Sequence, residues 1–269
     1  MTNNRILYIS QEITPYLPSS PTADFGRSLP QAMQQKHGRE VRIFMPNYGS
    51  VNERRNQLHE VIRLSGLGII IDDNDHPLVI KVASLQPARI QVYFIDNDDF
   101  FQKLDSDVDA VGSNREDNDE RTLFFTRGTM ETVKKLRWDP KIVHCTGWIS
   151  ALLPLYMRKA YGDDPSFKGT KIVYSVLPDS LQAPVDPRFL AKLKADGIPA
   201  KELKKFEQFP GDTNLLHRMA MEYADAIVFH SEEPDAGLLE LARASGKPLM
   251  LAADAERGPE AFAELYDRL

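Results

Sequence analysis

The sequence predicts an α/β fold: a single Rossmann-like domain with three layers, α/β/α, built around a mostly parallel sheet. Two observations carry this prediction. Short apolar runs alternate with longer amphipathic stretches, which is the pattern of repeated strand–helix–strand units. In addition, 269 residues with 42% hydrophobic and 27% charged side chains suffice for one large α/β domain or two small ones.

The first half of the chain begins with a buried strand and ends in an acidic loop. Residues 5–10 predict the strand, and residues 28–36 predict a helix that ends at the stop signal His37-Gly38. The other elements of this half are strands at residues 41–45, 61–71, 78–85 and 90–95 and a polar loop at residues 96–120.

The second half continues the alternation of helix and strand. Leu123, Met130 and Val133 follow a helical repeat, which predicts a helix over residues 121–137. We also expect strands at residues 142–145, 171–177, 226–229 and 248–251 and helices at residues 150–161, 215–223, 233–245 and 259–269. Residues 178–210 are rich in proline and lysine and predict an excursion with short helices at most.

Composition and charge exclude several classes of partner. A net charge of -6 leaves no basic surface to gather phosphates, so we expect no nucleic acid and no anionic membrane as partner. The apolar run at residues 6–9 is shorter than the roughly 7–15 residues of a signal peptide, and no run approaches the ~20 of a membrane span. Cys145 is the single cysteine, which is typical of a reducing compartment. These features predict a cytoplasmic protein.

Several motifs resemble the glycogen/starch synthase family. Residues 92–97 read VYFIDN and are followed by two phenylalanines, and residues 117–127 contain Asp-Asn, Glu-Arg, Phe-Phe and Arg at the family's spacing. Residues 138–145 match the family pattern from tryptophan to His-Cys, and residues 5–48 follow its opening strand, loop, helix and strand. Ala-Asp and a serine at residues 224–231 match a later strand. The resemblance therefore covers the N-terminal half of such an enzyme.

The resemblance implies a known arrangement. These enzymes belong to the GT-B class of glycosyltransferases, in which two Rossmann-like domains face each other across a cleft and glucose moves from ADP-glucose to an α-1,4-glucan. The N-terminal domain mostly holds the acceptor and part of the donor, and the C-terminal domain binds most of the nucleotide. For this chain we expect one N-terminal-type domain over residues 1–269, no nucleotide-binding C-terminal domain, and no cofactor.

Three sites depart from the family pattern. In the family, the loop after the first strand reads Lys-x-Gly-Gly, whereas this chain has Pro18, Ser20 and Pro21 at those positions. Proline has no N–H and no charge, so the loop cannot hold a diphosphate as the family's loop does. The family's His-x-His-Asp-Trp-His and Thr-Ile-His-Asn stretches have lost most of their polar residues at 144–149 and 175–178. These losses predict a chain without catalytic residues.

Three residues remain candidates for substrate binding. Glu12 and Asp24 keep family positions near the cleft, where each could contact a sugar hydroxyl or cap a loop or helix. Trp148 could stack on a sugar or lie in the core, with the core position favoured. His144 is expected to be a hydrogen-bonded core residue, and Cys145 has no neighbouring base that would make it a nucleophile.

Two charged segments favour simple interpretations. Residues 105–116 have carboxylates at the spacing of a calcium-binding EF-hand loop, but Ala110 replaces the turn glycine, so we expect a solvated loop and no metal. The lysine-rich residues 192–205 predict a solvated helical face.

Three functional hypotheses follow from these observations. The first is a catalytically degenerate glycosyltransferase domain that binds an α-glucan or a protein partner. The second is an active glycosyltransferase that a partner subunit completes, and the third is a structural subunit without a ligand.

Overall fold

The computed structural model describes residues 4–102, 109–178 and 181–269, and these form one ten-stranded sheet with helices on both faces. The predicted α/β/α architecture is confirmed. The strands are β1 (Arg5–Ile9), β2 (Glu40–Pro46), β3 (His59–Glu60), β4 (Leu67–Ile71), β5 (Asn74–Leu85), β6 (Ile90–Asp96), β7 (Ile142–Thr146), β8 (Lys171–Val176), β9 (Ala226–Phe229) and β10 (Leu249–Met250).

The sheet is parallel over most of its width. Its order is β10-β9-β8-β7-β1-β2-β6-β5-β3, and β4 pairs with β5 beside this path. The pairs from β10 to β6 are parallel, whereas β5 runs antiparallel to β6, β4 and β3. Every residue of β7 and β9 is buried, because helices cover both faces of the parallel part.

The helices form the two outer layers. They are α1 (Pro21–Gln35), α2 (Asn118–Leu136), α3 (Leu153–Lys159), α4 (Phe189–Ala195), α5 (Ala200–Leu203), α6 (Leu215–Tyr223), α7 (Ala236–Ala244), α8 (Ala252–Ala255) and α9 (Pro259–Arg268). Helix α1 packs with α9, and α9 packs with α8. In the other layer α2 packs with α3, α3 with α6 and α6 with α7. Within the described residues, no helix is long and apolar enough to cross a bilayer.

Helix α1 begins seven residues earlier than the sequence predicts. Ser20 caps it by accepting a hydrogen bond from the Ala23 amide at 3.0 Å, and Pro21 occupies its first position. A serine cap followed by proline is a strong start signal. It therefore outweighs the internal Pro30, and the helix reaches the carboxyl edge of the sheet.

The predicted strand over residues 61–71 is wrong in its first half. The chain pairs as β3 at His59–Glu60, turns through residues 61–66, and becomes β4 only at Leu67. Gly66 has a φ of 85°, and Ser65 Oγ accepts a hydrogen bond from the Ile80 amide at 3.0 Å. The turn is thus held by a partner that is 15 residues away along the chain.

The lysine-rich excursion is not a uniformly solvated face, so that prediction is wrong for Lys192. Its side chain is 5% exposed and lies 2.8 Å from Asp119, 2.7 Å from Glu120 and 3.1 Å from Asp186. Burial opposes the charged lysine, but hydrogen bonds to Asp119 and Glu120 outweigh it and raise its pKa. These ion pairs connect α4 to the first turn of α2.

Candidate functional site

The site lies where the order of the sheet reverses. Strand β1 is flanked by β2 on one side and by β7 on the other, and all three strands are parallel. The connection after β1 leads to β2, whereas the connection after β7 leads the other way to β8, and such a reversal leaves a crevice at the carboxyl ends of the strands. Residues 10–20, which follow β1, lie at this edge, and residues 147–152, which follow β7, are all buried.

The loop after β1 holds its own polar groups. Asp24 accepts hydrogen bonds from the hydroxyls of Thr14 at 3.0 Å and Ser19 at 2.7 Å, and Glu12 accepts one from Ser20 at 3.2 Å. The structure thus places Glu12 in the loop and Asp24 in the adjoining first turn of α1. Each braces that loop, as the capping interpretation expects, and their contact with a substrate stays a prediction.

The first turn of α1 offers few free amides to the crevice. Pro21 has no N–H, the Ala23 amide is donated to the Ser20 hydroxyl at 3.0 Å, and the Asp24 amide is donated to the Ser20 carbonyl at 2.9 Å. A helix N-terminus normally attracts anions through such amides and its dipole. Here the loop itself uses these groups, and the Asp24 carboxylate adds negative charge at the same place.

Trp148 lies in the core. Its side chain is fully buried, and the guanidinium of Arg121 lies 5.7 Å from the ring centroid. The ring therefore presents no face on which a sugar could stack. Ile149, which stands where the family has a histidine, is also fully buried.

His144 belongs to a buried chain of hydrogen bonds. Its Nδ1 lies 2.6 Å from the hydroxyl of Tyr266, and its Nε2 lies 2.7 Å from the hydroxyl of Ser175. The Tyr266 hydroxyl is also 3.2 Å from that of Tyr8, and the Ser175 hydroxyl is 3.0 Å from His230 Nε2. The prediction of a hydrogen-bonded core histidine is confirmed for His144. The chain of hydrogen bonds ends at His230, at the carboxyl edge of β9.

Burial keeps His144 and His230, the two histidines of this hydrogen-bond chain, uncharged. Desolvation, together with the neighbouring His230, lowers the pKa of His144 to about 3, and desolvation lowers that of His230 to about 4. Burial likewise raises the pKa of the Cys145 thiol well above its usual range, so this cysteine is an unreactive core residue.

Sequence reasoning missed His230, Ser175 and Tyr266. Tyr266 and His144 are 122 residues apart, and His230 and Ser175 are 55 residues apart. No local spacing links them. Only the polarity of Ser175 in an otherwise apolar strand could have marked that residue.

Two depressions flank the crevice with different charge. One, of about 250 Å³, lies beyond β8 and β9 and includes the carboxylates of Glu233 and Asp235. The other, of about 430 Å³, lies between residues 14–19 and 50–56 and is lined by Arg55. Arg55 comes from the loop after β2, so the sequence did not indicate that it lies beside Pro18.

Within the acidic loop, internal hydrogen bonds hold the carboxylate of Asp109. Asp109 accepts hydrogen bonds from the Ser113 hydroxyl at 2.7 Å and from the amides of Val111, Gly112 and Asn114. These bonds outweigh burial and lower its pKa. Positions 105–108 of the considered calcium loop lie outside the described residues. Across the described ranges, no group of three His, Cys, Asp or Glu side chains could hold a metal ion.

Comparisons with known proteins agree with the geometry of the fold. Residues 5–240 match the model of the starch synthase catalytic domain. The chain is 34% identical over 247 residues to a glycogen synthase of Chlorobium luteolum, covering 89% of this chain and 50% of that protein. It is 39% identical over 227 residues to a glycogen synthase of Chlorobium limicola, covering 84% and 45%.

A solved structure shows the same fold. The catalytic domain of starch synthase IV from Arabidopsis thaliana, bound to ADP and acarbose, superposes with a TM-score of 0.71 at 17% identity. The match covers 94% of this chain and 53% of the plant protein. The chain thus spans about half the length of the relatives that it matches.

Proposed function

This chain belongs to the starch synthase catalytic domain family, and we propose that it is a glucan-binding domain of that family which does not itself transfer glucose. An α-glucan is the ligand, and the domain does not hold the diphosphate of ADP-glucose at the crevice. The observation that carries this proposal is that the first turn of α1 has few amides free to bind a diphosphate.

Glucosyl transfer from ADP-glucose requires positive charge or N–H donors at the departing diphosphate. In this chain Pro21 supplies no N–H. The Ser20 hydroxyl accepts a hydrogen bond from the Ala23 amide, and the Ser20 carbonyl accepts one from the Asp24 amide. The nearby carboxylates of Glu12 and Asp24 repel a diphosphate. This arrangement supports a neutral ligand over an anionic one.

The residues that follow β7 and β8 support the same conclusion. Where the family has polar side chains, Ile149 is fully buried and Leu177 is 4% exposed. Neither side chain can donate a hydrogen bond or move a proton. A glucan, by contrast, needs only hydrogen-bonding groups at the rim of the crevice, and Glu12, Asp24 and His230 are of that kind.

Calorimetry with ADP-glucose and maltoheptaose tests the proposal. Each missing charge-assisted contact costs roughly 1.5–3 kcal/mol, about 10- to 100-fold in affinity, so ADP-glucose should bind far more weakly than maltoheptaose. The triple variant Pro18→Lys, Ser20→Gly, Pro21→Gly restores the family's loop and should strengthen ADP-glucose binding. Micromolar affinity of the wild-type chain for ADP-glucose would overturn the proposal.

A second candidate is an active glycosyltransferase completed by a partner subunit. Relatives at 34–39% identity are named glycogen synthase, and the chain spans only about half of their length. Incorporation of radiolabelled glucose from ADP-glucose into glycogen distinguishes the two candidates. Activity that disappears in both Glu12→Ala and Asp24→Ala would favour this second candidate.

A further inference from the structure

His230 stands at the open end of the buried hydrogen-bond chain. It directly follows β9, and its amide donates to the carbonyl of Val176 at 3.1 Å. The centroid of its ring lies 4.4 Å from that of Phe25 in α1 and 6.2 Å from that of Phe262 in α9. Its Nε2 contacts the hydroxyl of Ser175 in β8. Helices and sheet thus pack against the ring, and the residue stays partly exposed at the carboxyl end of β9.

The direction of the hydrogen bonds follows from counting donors. Among the described residues, Tyr266 is the one hydrogen-bond partner of the Tyr8 hydroxyl. A buried hydroxyl that donates to nothing is costly, so Tyr8 donates to Tyr266, which donates to His144 Nδ1. His144 then carries its proton on Nε2 and donates to Ser175, which donates to His230 Nε2.

The consequence appears at the other ring nitrogen of His230. Because its Nε2 accepts a hydrogen bond, the neutral ring carries its proton on Nδ1. We infer that the Nδ1–H of His230 is a hydrogen-bond donor at the crevice and binds an oxygen of an uncharged glucan. The inference rests on the proposed glucan-binding function and names a residue and an atom for it.

An uncharged donor suits a glucan better than a phosphate. The lowered pKa of about 4 keeps the imidazole neutral at physiological pH. A neutral N–H donor forms an ordinary hydrogen bond with a sugar hydroxyl or ring oxygen, and it lacks the charge that strengthens a bond to phosphate. Tyr266 acts as a positioning residue, since its hydroxyl fixes the tautomer of His144 and, through Ser175, that of His230.

Titration with maltoheptaose at neutral pH tests the binding role. His230→Phe keeps an aromatic ring between Phe25 and Phe262 but removes both nitrogens, and it should weaken maltoheptaose binding about 3- to 10-fold, the usual worth of one hydrogen bond. His59→Phe removes an exposed histidine on the edge strand β3 and serves as the matched control, with unchanged affinity.

Nitrogen NMR of the histidine rings tests the assigned directions of the hydrogen bonds, first in the wild-type chain and then in Tyr266→Phe. The wild-type chain should show a protonated Nδ1 in His230 and a protonated Nε2 in His144, and maltoheptaose should shift the His230 Nδ1 signal. Tyr266→Phe should leave mixed tautomers in both rings and weaken binding less than His230→Phe does. A purely structural role of Tyr266 would not change the tautomers.

The outcomes separate the inference from the proposed function. If wild-type chain binds maltoheptaose and His230→Phe binds it equally well, the inference is wrong and the proposed function stands. If wild-type chain does not bind maltoheptaose, the proposed function fails and the inference fails with it. A protonated Nε2 in His230 would overturn the donor assignment even where affinity falls.

Discussion

The loop that leads into α2 and the loop that follows β1 are both rich in polar residues, yet they place them differently. At the first, Arg121 in the first turn of α2 is fully buried and donates to the carbonyls of Phe100, Val111 and Gly112, which precede the helix, at 2.8–2.9 Å. At the second, the carboxylates of Glu12 and of Asp24, which lies in the adjoining first turn of α1, accept hydrogen bonds from serine and threonine hydroxyls near the surface.

The difference separates a buried structural residue from polar groups near the surface. Arg121 belongs to the segment that matches the family motif most closely, and its donors are used by backbone carbonyls inside the protein. Burial lowers its pKa to about 10, but it remains charged at neutral pH. In and beside the loop after β1, by contrast, Glu12 is partly exposed and Asp24 is exposed. A close match to a family motif therefore indicates the fold here and does not by itself indicate chemistry.

The largest expected effect is the loss of Arg121. Arg121→Met leaves the carbonyls of Phe100, Val111 and Gly112 without their donor inside the protein, and it should lower the free energy of unfolding by about 3–5 kcal/mol. Urea denaturation followed by circular dichroism measures this loss. Arg54→Met, at an exposed position, should change stability by less than about 0.5 kcal/mol. Equal effects of the two variants would contradict the comparison.

Loss of Lys192 should be the next largest effect. Lys192→Met leaves Asp119, whose side chain is 1% exposed, without its ion-pair partner, and removing one member of a buried pair costs about 3 kcal/mol or more. Adding Asp119→Asn to Lys192→Met removes the orphaned charge and should restore part of the stability. A double variant that is less stable than Lys192→Met alone would rule out this explanation.

Acidification should weaken the fold through His144 and His230. Both have folded-state pKa values below the ordinary 6.5, so the stability they contribute is complete above that pH and is lost as the pH falls toward their folded values. Between pH 7 and pH 5 each should lower the free energy of unfolding by about 2 kcal/mol. Thermal melts of His230→Phe should show a shallower pH dependence than wild-type melts, and an unchanged slope would contradict this reading.

The smallest expected effect concerns the loop after β1. Ser20→Ala removes the cap of α1 and should cost about 1 kcal/mol. Ser28→Ala, at an exposed position within the same helix, should have almost no effect. A thermal melt comparing the two variants checks this. If Ser20→Ala destabilised the chain as much as Arg121→Met does, the two loops would not differ as described.

Much of the fold could be predicted because the parallel strands are apolar on both faces. The predicted bounds of β9 and α6 agree residue for residue with the structure. One error arose where a distant partner decides the local conformation, because the turn at residues 61–66 depends on β5. The early start of α1 has a local cause, since the Ser20 cap precedes the apolar repeat from which the helix was predicted.

The candidate site was predicted only in part. Matching the family predicted that Glu12 and Asp24 lie near the cleft, and it predicts that Pro18, Ser20 and Pro21 do not hold a diphosphate. The histidine at the carboxyl edge escaped prediction, because His230 reaches Ser175 and His144 only when β7, β8 and β9 lie side by side.

The amino-acid sequence by itself determined the fold class and the family, and it predicted that the loop after β1 does not hold a diphosphate, since each depends on residue type and local spacing. The tertiary structure decided which polar side chains are buried. Trp148 and Lys192 lie inside because other elements pack over them, and His144 is neutral because Tyr266, from the last helix, closes its pocket. Burial and hydrogen-bond partners arise from segments that are far apart in the chain, so no local pattern encodes them.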